Sequence, residues 1–207
     1  MEVTGIILAD GKTLRLGRNK ATEIIGGMTL LERVIKHLTP ITNRIVLVTT
    51  GDSDSYSTTK SIEVITDIYP VKGPLSGIYT GLCSSHTIAN IVVACDMPFL
   101  NTALLEHMTK LLPSFDAIVP RWPNGQKEPL HAIYSISCLP IMKKHLENNK
   151  LSLIHCLKEM HVLHLNKRGF SEFDPEFLSF FNVNDQADLD LANKIAAREQ
   201  PESQVRR

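Results

Sequence analysis

The chain predicts an α/β fold, an open and mostly parallel sheet covered by helices. Short β-branched apolar runs alternate with segments of helical periodicity. One of those runs, Ile91 to Cys95, is apolar enough to be buried on both faces, as a central parallel strand requires. The first run, Gly5 to Ala9, empties into a short basic loop holding Gly11 and Gly17, and ligands of such sheets sit beyond the carboxyl ends of the strands.

Gly5 to Ala9 and Arg44 to Thr49 read as strands. Between them Thr29 to Leu38 sets Leu30, Leu31, Val34, Ile35 and Leu38 at helical spacing, which makes a βαβ unit. Ile62 to Thr66 adds a short strand, and Leu75 to Cys83 reads as a helix after Gly73-Pro74. The strand Ile91 to Cys95 ends at Asp96. A helix from Thr102 to Leu112 follows, then a strand over Ala117 to Pro120 and an extended Leu130 to Tyr134. Ser137 to Glu147 and Ser152 to Met160 read as helices, each opened by a serine suited to capping. A strand over Val162 to Leu165, the segment Phe180 to Asn184 and a helix from Asp185 to Arg198 complete the pattern. Residues 1–198 are expected to form a single domain, and residues 199–207 a polar tail.

A length of 207 residues suits one full core. Lys and Arg number 22 and Asp and Glu 22, so no general field draws the protein to nucleic acid or to a membrane, and an anion site must be a local cluster. Cys83, Cys95, Cys138 and Cys156 are scattered, without a Cys-x-x-Cys pair, which argues for structural thiols over zinc or thioredoxin-like chemistry. No basic start with a cleavage site precedes the first strand, and no apolar run approaches the roughly 20 residues of a membrane span, so a cytoplasmic protein is expected.

The loop from Asp10 to Lys20 carries Lys12, Arg15, Arg18 and Lys20. Backbone N–H groups and cations converging after a strand can hold a polyphosphate. It is not a P-loop, because Arg18 and Asn19 follow Gly17 where Lys and Ser/Thr are required, and Gly-x-Gly-x-x-Gly is absent. An ordinary connection with solvated cations is the alternative. Asp96 stands where Mg²⁺ could bridge a carboxylate to a nucleotide phosphate; an aspartate capping the following turn fits the same position.

Five segments in order resemble the molybdenum cofactor guanylyltransferases, the MobA-like nucleotidyltransferase family: the first loop, Gly73-Pro74-Leu75-Ser76-Gly77, Cys95-Asp96-Met97-Pro98, Glu128-Pro129-Leu130-His131-Ala132-Ile133-Tyr134 and Phe181-Asn182-Val183-Asn184. The resemblance implies the nucleotide-diphospho-sugar transferase type of three-layer α/β/α sandwich, Rossmann-like, with a mostly parallel sheet. It implies transfer of GMP from GTP to Mo-molybdopterin with Mg²⁺, giving pyrophosphate, and association with molybdenum-insertion and molybdoenzyme maturation proteins.

The family loop reads Leu-Ala-Gly-Gly-x-Ser-x-Arg-Met-Gly-x-Asp-Lys, and Leu8, Ala9, Gly11, Thr13, Arg15, Leu16, Gly17 and Lys20 match it. Asp10 replaces its first glycine and Asn19 its aspartate; Asp10 adds a charge and a Cβ where backbone should approach phosphate. Arg15, Lys20 and Asp96 are the implied catalytic residues, with Asp96 the metal ligand. Leu8, Ala9, Gly11, Thr13, Asp67 and Gly77 join them around the nucleotide. Arg121, His131, Asn182 and Asn184 are the implied acceptor-binding residues. On their own, the two asparagines read as turn and cap residues, Arg121 as a surface cation and His131 as a structural histidine. Two other readings share these motifs: a sister enzyme that uses CTP with the same cofactor or GTP with another acceptor, and a non-catalytic cofactor-binding protein whose triphosphate site Asp10 and Asn19 have spoiled.

Overall fold

The computed structural model describes residues 1–9, 20–51, 62–70 and 72–199. Their strands are β1 (Val3–Ala9), β2 (Ile24–Ile25), β3 (Met28–Thr29), β4 (Arg44–Thr49), β5 (Ile62–Thr66), β6 (Ala89–Ala94), β7 (Ala117–Arg121), β8 (His131–Ser135) and β9 (Val162–Asn166). The helices are α1 (Leu30–Leu38), α2 (Pro74–Ser84), α3 (Thr102–Leu111), α4 (Leu139–Glu147), α5 (Leu153–Cys156), α6 (Lys167–Ser171) and α7 (Gln186–Glu199). The main sheet has seven strands in the order β5-β4-β1-β6-β8-β7-β9. Its first four strands run parallel; β8 is antiparallel to both β6 and β7, and β9 is again parallel to β7.

All seven residues of β1 are buried, because this strand lies between β4 and β6 and both its faces are covered. Successive side chains go to opposite cores, as a strand's period of two dictates. Ile7 packs with Leu31, Val34 and Leu38 of α1 and Leu104, Leu105 and Met108 of α3. Ile6 and Leu8 pack with Leu75, Ile78 and Leu82 of α2 and Met142 and Leu146 of α4. The result is the expected α/β/α sandwich with a mostly parallel sheet. A third, smaller cluster joins Ile25, Leu30, Phe99 and Val183 to Leu189, Ala192 and Ala196 of α7.

Two glycines set how closely α2 approaches β1. A Cβ on Gly81 would stand 2.4 Å from Ile6 Cγ2, and one on Gly77 3.2 Å from Leu8 Cδ2. The spacing of four puts both on the face of α2 toward the sheet.

Several local features differ from the sequence expectation. Thr29 caps α1 from outside instead of opening it: its hydroxyl accepts from Glu32 N at 3.1 Å while the Glu32 carboxylate accepts from Thr29 N at 2.7 Å, a capping box. The β2–β3 hairpin, turning through Gly26 and Gly27 at positive φ, was too short to show a period. The expected helix from Ser152 to Met160 is α5 followed by a 3₁₀ turn over Leu157–Glu159, although Ser152 does cap it, accepting from His155 N. Before α4 the capping serine is Ser135, which accepts from Ser137 N; Ser137 instead donates to the Asp116 carboxylate. Among the described residues no helix is long and apolar enough to cross a membrane.

Candidate active site

β1 and β6 are neighbours and parallel, so their carboxyl ends open at the same edge of the sheet. Cys95 N donates to Leu8 O at 3.0 Å, which carries the ladder one residue past β6 and delivers Asp96 at that edge. Val183 N donates to Asp96 O at 3.0 Å and draws the chain before α7 to the same place. The 3₁₀ turn Lys20–Thr22 supplies the third component.

Lys20 Nζ donates to Asp96 Oδ2 at 2.6 Å and to Asn184 Oδ1 at 2.9 Å. The lysine is only 7% exposed, a position almost never taken by Lys unless it is paired. Asp96 Oδ1 is buried and has no hydrogen-bond partner among the described residues. A buried carboxylate oxygen without a donor is costly in isolation and is relieved by a cation. The set therefore fits a hard divalent ion, held by one carboxylate and completed by phosphate oxygens, as Mg²⁺ prefers. Among the described residues no group of three or more His, Cys, Asp or Glu side chains forms a closed metal cage.

Three of the expected site residues, Lys20, Asp96 and Asn184, are thus in direct contact. Leu8 and Ala9 end β1 beneath them, and both are buried, Leu8 in the core with α2. Gly11, Thr13 and Arg15, together with Asp10, Leu16, Gly17 and Asn19, lie outside the described residues. Asp67 is buried, and its carboxylate is taken up by neighbouring chain: Oδ2 accepts from Ser76 Oγ at 2.6 Å, and Oδ1 from Thr80 Oγ1 at 2.7 Å and Tyr69 N at 3.0 Å. These bonds lock the segment after β5 onto α2. Gly77 is buried against Leu8, so packing by itself accounts for a glycine there.

The acceptor-side residues separate. Asn182 faces two adjoining cavities. One, of about 510 Å³, is lined by Trp122, Asn124, Gln126, Glu128 and Phe180; the other, of about 380 Å³, by Pro74, Met97, Leu130, Leu151, Leu153 and Glu128. Arg121 is exposed and borders a third cavity, beyond Trp122. His131, implied at the acceptor by the resemblance and structural on its own residues, lies in the core. It has no exposed surface, its Nε2 lies 2.6 Å from Ser179 Oγ, and its ring packs on Phe180 at 4.5 Å. Burial lowers its pKa to about 4, so the ring is neutral.

Glu128, which the resemblance gives no role of its own within the segment from Glu128 to Tyr134, lines both cavities that Asn182 faces. Its Oε1 accepts from Trp122 Nε1 at 2.8 Å and Gln126 Nε2 at 3.0 Å, and burial raises its pKa. Pro123-Asn124-Gly125 is a turn signal that the sequence reading passed over, and it does not say which side chains face the cavities.

The model of the MobA-like NTP transferase domain matches residues 5–161. Molybdenum cofactor guanylyltransferase of Desulfosudis oleivorans is 31% identical over 192 residues, which cover 92% of this chain and 94% of that one. The crystal structure of molybdopterin-guanine dinucleotide biosynthesis protein A from Archaeoglobus fulgidus superposes with a TM-score of 0.80 and 27% identity, covering 94% of this chain and 99% of the other. A cytidylyltransferase structure, 2-C-methyl-D-erythritol 4-phosphate cytidylyltransferase from Thermus thermophilus, matches with a TM-score of 0.67 but 15% identity, over 95% of this chain and all of the other, and shows a likeness of fold. With a sheet edge that brings a lysine, an aspartate and an asparagine together, and with matches along most of its length, this chain belongs to the MobA-like NTP transferase family.

Proposed function

We propose that the protein is a molybdenum cofactor guanylyltransferase, joining GMP from GTP to Mo-molybdopterin and releasing pyrophosphate. The observation that carries this reading is the contact of Lys20 with Asp96 and Asn184 at the carboxyl edge of β1 and β6, with Asn182 two residues away at the mouths of two cavities.

A phosphate oxygen of the acceptor attacks the α-phosphorus of GTP. The new P–O bond forms as the bond from that phosphorus to the β-bridging oxygen breaks, and the electron pair leaves on pyrophosphate. The acceptor phosphate is ionised at neutral pH, so no general base is needed. The neutral, enclosed His131 holds no such role. Lys20 is the cation for the phosphate oxygens, with Asn184 fixing its direction, and a preorganised cation in a partly water-excluded site stabilises charge as it moves. Asp96 is the residue to hold Mg²⁺, which when bound would neutralise charge on those oxygens. Arg15, Gly11 and Thr13 would complete the triphosphate grip, and Asn182 would orient the acceptor.

The test offers purified protein Mo-molybdopterin with Mg-GTP or Mg-CTP and measures pyrophosphate release and the dinucleotide formed. Guanylyl transfer with GTP strongly preferred is expected. Preference for CTP would make it the sister cytidylyltransferase, and binding of the cofactor without release of pyrophosphate would make it a carrier.

A further inference from the structure

The third cavity shares Trp122 and Pro123 with one of the two that Asn182 faces but has neither Asn182 nor Glu128 in its lining. It is a cavity of about 470 Å³ lined by Arg121, Trp122, His164, Asn166, Lys167 and Arg168. Backbone pairing assembles it. Arg121 stands opposite Lys127 across a turn closed by Trp122 N to Gln126 O and by Gly125 at φ +89°, and it stands beside Asn166 in the register of β7 with β9. Lys167 and Arg168 follow at the end of β9.

Like charges directly opposite on paired strands destabilise a sheet. Here two such cations are joined by two more, and none of Arg121, Lys127, Lys167 and Arg168 takes part in an ion pair among the described residues. Lys167 Nζ sits 4.8 Å above the Phe177 ring, which holds it in place without cancelling its charge. His164, which also lines the cavity, has a buried Nδ1 with no hydrogen-bond partner among the described residues. In a chain whose formal charges sum to zero, this is a local concentration of positive charge.

We propose that this pocket is a binding site for a phosphoryl dianion, separate from the Lys20–Asp96 centre, with Arg121, Lys167 and Arg168 as its lining cations and Lys127 paired beside Arg121. A compact group with several charged oxygens answers converging cations better than the single charge of a protein carboxylate, and Arg is suited to phosphate geometry. The depressed pKa of Lys127, caused by burial and then by Arg121 and Lys158, agrees with an excess of positive charge that an anion would relieve. The dianion is either free phosphate or the phosphate of an organic monoester, and Trp122 in the lining offers aromatic surface to an attached ring.

Trp122 is the chain's one tryptophan and lines both this pocket and one of the cavities that Asn182 faces, so its fluorescence reports binding at either, and the variants below decide which. Inorganic phosphate and phenyl phosphate, titrated without metal at matched ionic strength, should each give a saturable change. Lys167→Ala/Arg168→Ala, which alters two exposed side chains, should weaken binding at least tenfold, whereas Lys20→Ala should leave it within twofold. The proposal then holds even if Lys20 proves unimportant for GTP. Tighter phenyl phosphate would identify an organic monoester and equal affinities free phosphate. The proposal is overturned by no saturable change, by an undiminished response in the double variant, or by a response lost in Lys20→Ala. It is also overturned if phosphate is silent while an oligoglutamate peptide saturates the signal.

Discussion

Asp96 carries two demands on one carboxylate: Oδ2 answers Lys20 and Oδ1 is left buried without a donor. Asp96→Asn keeps an acceptor for Lys20 and removes the charge a metal needs. Guanylyl transfer should fall about 10²-fold or more while the thermal midpoint moves little. Lys20→Ala should behave differently, raising the GTP dissociation constant as well as slowing turnover, because a phosphate cation acts in both ground and transition states. Transfer at the wild-type rate in Asp96→Asn at low Mg²⁺, measured alongside calorimetric GTP binding by both variants, would remove the metal assignment. At this scale the sequence was legible where a side chain's chemistry is unusual for its place. A carboxylate ending the most apolar strand stood out as a metal candidate or a turn cap; for His131 only the tertiary packing of Ser179 and Phe180 on its ring decides between ligand and core.

Helix α2 shows what an element can tolerate. A methyl at Gly81 meets Ile6 Cγ2, a branch fixed next to the backbone, whereas one at Gly77 meets only the far end of Leu8. Gly81→Ala should therefore destabilise by about 1–2 kcal/mol despite its gain in helix propensity, or roughly 2–8 °C in a chain of this size. Gly77→Ala should hold or raise the melting temperature, and a weakened GTP affinity in that variant would place the nucleotide against it. Equal losses of stability in the two variants would show that the close approach of α2 to β1 is not what selects Gly81. The long elements were readable because apolar residues repeat at 3.6 or run unbroken. The β2–β3 hairpin and α6 were not, as two and five residues are too few to carry a period. The antiparallel sense of β8 was equally hidden, since strand direction depends on pairing and not on composition.

The molecule as a whole carries a buried histidine that must stay neutral. His131 has a pKa of about 4 in the folded chain against about 6.5 in the unfolded one, so between those values the unfolded state binds more protons. Stability is undiminished above pH 6.5 and declines as pH falls toward 4, by on the order of 3 kcal/mol from this group. His131→Gln keeps a polar partner for Ser179 and removes the titration. Denaturant unfolding of both proteins from pH 7.5 to 4.5 should show the wild type losing more stability than the variant; parallel curves would refute the assignment. The sandwich itself followed from alternation of strand and helix, but the convergence of Lys20, Asp96 and Asn184 did not, because no local pattern says which distant loops meet.

That convergence fixes when the centre can exist during synthesis. Lys20 lies 76 residues from Asp96 and 164 from Asn184, and a ribosome makes them in that order. A nascent chain long enough to hold β1, β4, β5 and β6 can already pair its parallel strands, yet its lysine still lacks the asparagine that fixes its direction. Contacts of such separation form late, after the large loop-closure cost has been met. The Lys20–Asp96–Asn184 centre is therefore among the last features to mature, and a chain ending at residue 161, where the match to the family domain stops, would have six of the seven strands of the main sheet without the asparagine that meets Lys20.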